Sequence, residues 1–250
     1  MAHHEQNLPF HAADYKASKG KGTRIKNPSF SISAFENALR DYAADPDFNA
    51  IKSTVGRLGD IVEALAAVRE QADPTQPAAA VALEYGKQLT KAAESAQRYV
   101  QGAASRLQQA QDKAHSAMLA KTRIGTPTAK AAEVRAVMRM MNEKDRLAFM
   151  QKSIDTGNAE IMAAILDAPA ELSLLSQEVV NQARDQYVMQ HAPEYIQVSE
   201  ALDQAQLRLE MAYDAFLSES AAMRDSGLEF HATQGQQAAK DAKAGLDQLL

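Results

Sequence analysis

The chain has 250 residues, 46% of them hydrophobic and 24% charged, with a net charge of −5 and neither cysteine nor tryptophan. The lack of cysteine excludes disulfides, thiolate metal sites and cysteine nucleophiles. No apolar stretch approaches the ~20 residues of a membrane span. Alanine and glutamine are abundant while strand-forming aromatics are few, which predicts an all-helical protein whose helices approach closely at alanine seams.

Residues 1–29 show no apolar periodicity. Lys16, Lys19, Lys21, Arg24 and Lys26 fall within eleven residues that contain no acid. Set against Glu5 and Asp14, these five cations give the segment +3, which leaves −8 for the rest of the −5 chain. The segment reads as a flexible basic tail suited to non-specific, salt-dependent contact with nucleic acid or with an acidic partner. It lacks the charged n-region and apolar core of a secretory signal. Lys19-Gly20-Lys21-Gly22-Thr23 is no phosphate loop, because the glycine spacing, the Lys-Ser/Thr pair and the flanking strand and helix are missing.

Helix signals follow in order. Ser33-x-x-Glu36 forms a capping box and opens a short helix to about Ala44. Asp45-Pro46 is an N-cap with proline at the first helical position, and the helix it opens runs to about Ala72. Its apolar residues Ile51, Val55, Leu58, Val62 and Leu65 repeat as a heptad seam. Asp73-Pro74 ends it, and Pro77 starts a run to Arg123 interrupted only by Gly86 and Gly102. That run predicts one helix about 70 Å long at ~1.5 Å per residue. Its seam is Leu89, Ala92, Ala96, Tyr99, Ala103, Leu107, Ala110, Ala114 and Ala117, with one stutter in the spacing. Gly125, Thr126 and Pro127 stop it and start the next.

From 127 to 190 the helices shorten. Asn142, Gly157-Asn158, Pro169 and Ser176 recur as breakers and caps, and apolar residues crowd together. This predicts a compact helical knot with its own core. Pro193 opens a third long helix to about Arg224, with the seam Tyr195, Val198, Leu202, Ala205, Leu209, Ala212 and Phe216. Gly227 is expected as its C-cap. Residues 228–250 are weakly amphipathic and are expected to be mobile or ordered by a partner. Residues 77–123 carry a net +4 and 193–225 a net −5, from seven cations against three acids and two against seven. The two long helices are therefore expected to be neighbours.

No constellation points to catalysis. The six histidines are scattered, without His-Glu-x-x-His or the Glu-x-x-His pairs of a di-metal bundle. His115 is expected on a helix rim and His191 in a loop role before Pro193. Glu143 with Asp145, Glu160 with Asp167, and Asp203 with Glu210 lie on exposed faces or first turns, where acids favour the helix dipole. Met138, Met140, Met141, Met150 and Met162 read as core filling rather than as a binding groove. No catalytic, cofactor or metal residue is assigned.

Three runs in the middle of the chain carry a resemblance: Ala132-Glu133-Val134-Arg135; Glu143-Lys144-Asp145-Arg146-Leu147-Ala148-Phe149; and Gly157 through Pro169. Across roughly residues 130–217 the chain resembles poorly characterised proteins encoded among tailed-phage and prophage structural genes. The resemblance implies a virion-associated or assembly role and transfers no catalytic residue.

The expected protein is all-α: an elongated bundle of long, coiled-coil-like helices with an inserted module of short helices. Its parts are a tail (1–29), long helices (30–125), the short-helix module (126–190), a completing long helix (191–227) and a C-terminal segment (228–250). Seam contacts are expected at Leu89, Tyr99, Leu107, Val198, Leu202, Leu209 and Phe216. The expected function is structural, in a virion or host cytoplasm, as a homo-oligomer with other assembly proteins, with nucleic acid as a possible contact of the tail and no membrane or cofactor. The alternative is a non-catalytic helical adaptor or regulatory binding protein.

Overall fold

A computed structural model describes residues 27–42, 44–125, 129–168 and 174–247, with side chains as far as residue 244. Among the described residues there are nine α-helices, two short 3-10 helices and no strand, so the fold is all-α. The helices are α1 (Ile32–Leu39), α2 (Pro46–Glu70), α3 (Ala78–Thr122), α4 (Ala131–Met140), α5 (Glu143–Asp155), α6 (Ala159–Leu166), α7 (Gln177–His191), α8 (Pro193–Ala222) and α9 (Ser226–Asp247). The 3-10 helices are Pro28–Phe30 and Arg40–Tyr42. No described helix is long and apolar enough to cross a membrane.

Local chemistry accounts for most of the boundaries. Asp45 caps α2 through its carboxylate, which accepts from the Asp47 N–H at 2.8 Å, with Pro46 in the first turn. Asn142, Asn158 and Ser176 cap α5, α6 and α7 in the same way. At α1 the cap is Ser31, whose Oγ accepts from the Ala34 N–H at 3.2 Å, and not the expected Ser33. Ser31 has the extended backbone that a cap needs, whereas Ser33 is already inside the helix. Helix α3 is unbroken for 45 residues, about 67 Å at ~1.5 Å per residue. Gly86 and Gly102 are both carried within it. It ends where Arg123 adopts a left-handed φ of 57° and its N–H reaches the Leu119 carbonyl at 2.7 Å. The expected cap at Thr126 lies outside the described residues.

The described chain divides into two compact units, one built from residues up to 104 and from 206 onward, the other from 105–205. In the first, the α2 seam Ile51, Val55, Leu58, Val62 and Leu65 is buried throughout, joined by Phe35, Leu39 and Phe48. Asn27 caps the first 3-10 helix, its side chain accepting from the Ser29 N–H at 3.0 Å. Two glycines on α2 seat this N-terminal stretch. A Cβ at Gly59 would lie 2.8 Å from the Phe30 Cβ, and one at Gly56 would lie 3.0 Å from the end of Ile32. Tyr85 of α3 donates to the Leu65 carbonyl at 3.0 Å and lies 3.3 Å from the Met223 sulfur, joining α2, α3 and the end of α8.

The second unit packs Met118, Ile124, Met138, Met150, Ile154, Met162, Ile165, Ala183, Tyr187, Val188 and Ala192 into one core. Three methionines of the middle cluster are thus core residues, while Met140 is 82% exposed. Two arginines finish helix ends here. Arg135 donates to the Ala164 carbonyl at 3.2 Å. Arg146 donates to the carbonyls of Met138 at 2.9 Å and Leu174 at 3.3 Å. Ala164 and Met138 lie in last turns, where carbonyls run short of intrahelical donors and a guanidinium supplies one, while Leu174 lies in the bend ahead of α7.

Candidate functional site

Thr54, Thr122 and Ser153 are the buried polar side chains among the described residues. Each hydroxyl donates to the carbonyl four residues earlier in its own helix, at 3.0, 2.7 and 2.8 Å. Every buried side-chain nitrogen or oxygen among the described residues has a partner. These three hydroxyls are therefore satisfied within their own helices and point at no shared centre.

A polar cluster sits on α7 in the second unit. Tyr187 donates to the Gly157 carbonyl at 3.2 Å, with the Thr122 carbonyl at 3.5 Å. The His191 ring lies tilted at 46° against Tyr187, with centroids 4.5 Å apart, and its Nε2 meets the Ile154 carbonyl at 2.7 Å. As a carbonyl only accepts, this nitrogen carries the proton. Gly157 has φ 66°, and a Cβ there would stand 3.1 Å from the His191 ring. Burial raises the Tyr187 hydroxyl above the ordinary tyrosine value. These groups tie α7 to the turn between α5 and α6. His191, read from sequence as a loop residue, is the last residue of α7 and clamps that turn. His115 is exposed, edge-on to Tyr195 at 6.4 Å. Glu194 accepts from Lys121, and this hydrogen bond holds its carboxyl below the usual range.

The surface carries more that is unexplained by folding. The cations Lys16, Lys19, Lys21, Arg24 and Lys26 lie outside the described residues. Of the expected seam, Leu89, Leu107, Leu202, Leu209 and Phe216 are buried and Val198 is half-buried. Tyr99 is 39% exposed, and Arg57 stands over its ring at 5.1 Å. The position between Ala96 and Ala103 is filled by half-buried Val100 instead. Ala117 is likewise exposed, with Met118 buried in its place.

Helix α9 is the element the sequence reading did not assign. Gly227 is its second residue and not a C-cap of α8. Asp225 caps it, accepting from the Leu228 N–H at 3.0 Å. Its first turn is clasped to the body. Arg224 holds Glu229 through Nε–Oε1 at 3.2 Å and Nη2–Oε2 at 3.0 Å. The Glu229 carboxylate lies where a Cβ of Gly86 would be, 2.5 Å from that point. From Thr233 to Ala244 every residue is exposed. The arginine and glutamate five residues apart, across Asp225, were the available sequence signal. Comparison of the chain with protein-family models, curated proteins and solved structures gives no match.

Proposed function

We propose that this protein is a structural or assembly component that acts through its helix surfaces, in the setting of a tailed-phage virion. Support for action through surfaces comes from α9, whose residues from Thr233 to Ala244 are all exposed. A helical stretch that short is marginal in water unless a neighbour covers one face. Phe230, 58% exposed in the turn before it, adds an apolar anchor. Support for the setting comes from the resemblance across residues 130–217. Within that stretch Arg135, Arg146, Gly157 and Asn158 finish helix ends and turns.

The test is a density-gradient separation of phage-like particles from a producing culture, followed by mass spectrometry. The chain is expected in the particle band in stoichiometric amount. A chain found only in the particle-free fraction overturns the virion setting and favours an adaptor.

A further inference from the structure

We propose that the first unit carries two complementary outer helix faces, by which one copy of this chain docks head-to-tail on the next. The inference rests on the assembly reading above and specifies its contact.

The first face is on α3. Lys91, Ser95, Arg98 and Gly102 recur at a 4-3-4 spacing. At 100° per residue Lys91 and Arg98 lie on the far side from the buried Leu89, Ala96 and Ala103, with half-buried Ser95 and exposed Gly102 on the flank. Lys91 and Arg98 are exposed. Arg98 is braced along its own helix, donating to the Glu94 carbonyl at 3.3 Å and the Ser95 hydroxyl at 3.2 Å. Gly102 has nothing within 4 Å of its Cβ position. A bare glycine in an exposed helix lets a neighbouring side chain come down to the backbone.

The second face is on α8. Leu207, Met211, Asp214 and Ser218 recur at the same 4-3-4 spacing, with Glu210 alongside. They lie opposite the buried Leu209, Ala212 and Phe216. Leu207 is 48% and Met211 41% exposed, although both are large and apolar. The two stripes match in length at twelve residues each, about 17 Å end to end at a rise of ~1.5 Å per residue. The first carries Lys91 and Arg98 with Glu94 beside them and the second Asp214 with Glu210 beside it, so they are opposite in sign, and one offers apolar knobs and the other a gap.

A second copy is the occupant because each molecule presents both halves. Such a contact is heterologous, so it generates a ring or a filament depending on whether its rotation closes. One helix pair of this length falls below the ~1,000 Å² of a stable interface. Single contacts are therefore weak, and repetition along an array strengthens them. The charges set direction and salt sensitivity, while Leu207 and Met211 supply the apolar burial.

Sedimentation velocity at 50 and 500 mM salt tests this with two double variants, Lys91→Glu/Arg98→Glu and Glu210→Lys/Asp214→Lys, each checked for wild-type helicity by circular dichroism. The wild-type chain is expected to self-associate at low salt and to weaken ~10-fold or more at high salt. Each variant alone is expected to stay monomeric. Their mixture is expected to associate, because each then presents a face opposite in sign to one on the other. A wild-type chain that is monomeric in low salt overturns the inference and leaves assembly to partners of other sequence. Variants that associate as the wild type does also overturn it, while leaving self-assembly through another surface standing.

Discussion

Two glycines show how much a residue's role depends on what surrounds it. Gly157 combines a φ of 66° with the His191 ring against its open side. Alanine there strains the backbone and pushes the ring off the Ile154 carbonyl. Gly157→Ala is expected to lower unfolding free energy by about 1–2 kcal/mol in urea denaturation. Gly102 sits mid-helix with open space around it, so Gly102→Ala is expected to raise stability by about 0.5–1 kcal/mol. Equal effects at the two sites would mean that neither environment is as described. The sequence marks Gly157-Asn158 as a breaker from composition. It marks neither the ring over that glycine nor the seats at Gly56 and Gly59, because those depend on partners distant along the chain.

Tyr187 supplies the pH dependence. Its ordinary value is 10.0 and burial raises it in the folded state. The folded chain then holds this proton more tightly than the unfolded chain does. The stabilisation is complete below about pH 10 and is lost as pH rises from there through the raised folded value. Tyr187→Phe removes the bond to Gly157, costing about 1 kcal/mol at pH 8. Its stability is expected to fall less between pH 9 and pH 11 than that of the wild type. Parallel curves for the two proteins would place the titration elsewhere.

At the scale of elements, the long helices were legible because their seams repeat without interruption. The α2 stripe is buried as its spacing predicts, and α3 runs unbroken through two glycines because 45 residues of propagation outweigh two costs of ~1 kcal/mol each. The register near residue 99 was not legible. Tyr99 and Val100 are adjacent apolar residues; Tyr99 turns outward beneath Arg57 and half-buried Val100 takes the seam position. The segment after Arg224 was missed because its apolar residues are sparse and Gly227 resembles a terminator. The Arg224–Glu229 clasp onto Gly86 is what makes it a helix attached to the body. Arg224→Ala is expected to fray α9, with amides beyond Thr233 exchanging at least tenfold faster by hydrogen–deuterium mass spectrometry, about 1.4 kcal/mol or more. Amides of α2 serve as the internal control and are expected to keep their protection. Unchanged exchange in α9 would show that something other than the clasp holds it.

At the scale of the molecule, residues 105–205 form a unit with its own core. Met118 and Ile124 from one side, and Ala192, Tyr195 and Ile196 from the other, pack into that core. A seam read along one helix cannot say which core each of its turns joins.

Charge is also a whole-molecule property. All five tail cations and two acids precede Asn27, so removing residues 1–26 takes the chain from −5 to −8. The cut leaves Asn27 capping the 3-10 helix, Phe30 on Gly59 and Ile32 near Gly56, so the fold keeps its N-terminal seat. A body at −8 repels a polyanion, and any affinity for nucleic acid then has to come through the tail. The full chain is expected to bind duplex DNA with log K falling against log salt at a slope of about −4 to −5, the limit for five phosphate contacts. The chain from Asn27 onward is expected to bind at least tenfold more weakly in 50 mM salt by fluorescence anisotropy. If both forms bind alike, the cations Lys16, Lys19, Lys21, Arg24 and Lys26 are not the contact. If neither binds, duplex DNA is not the tail's partner.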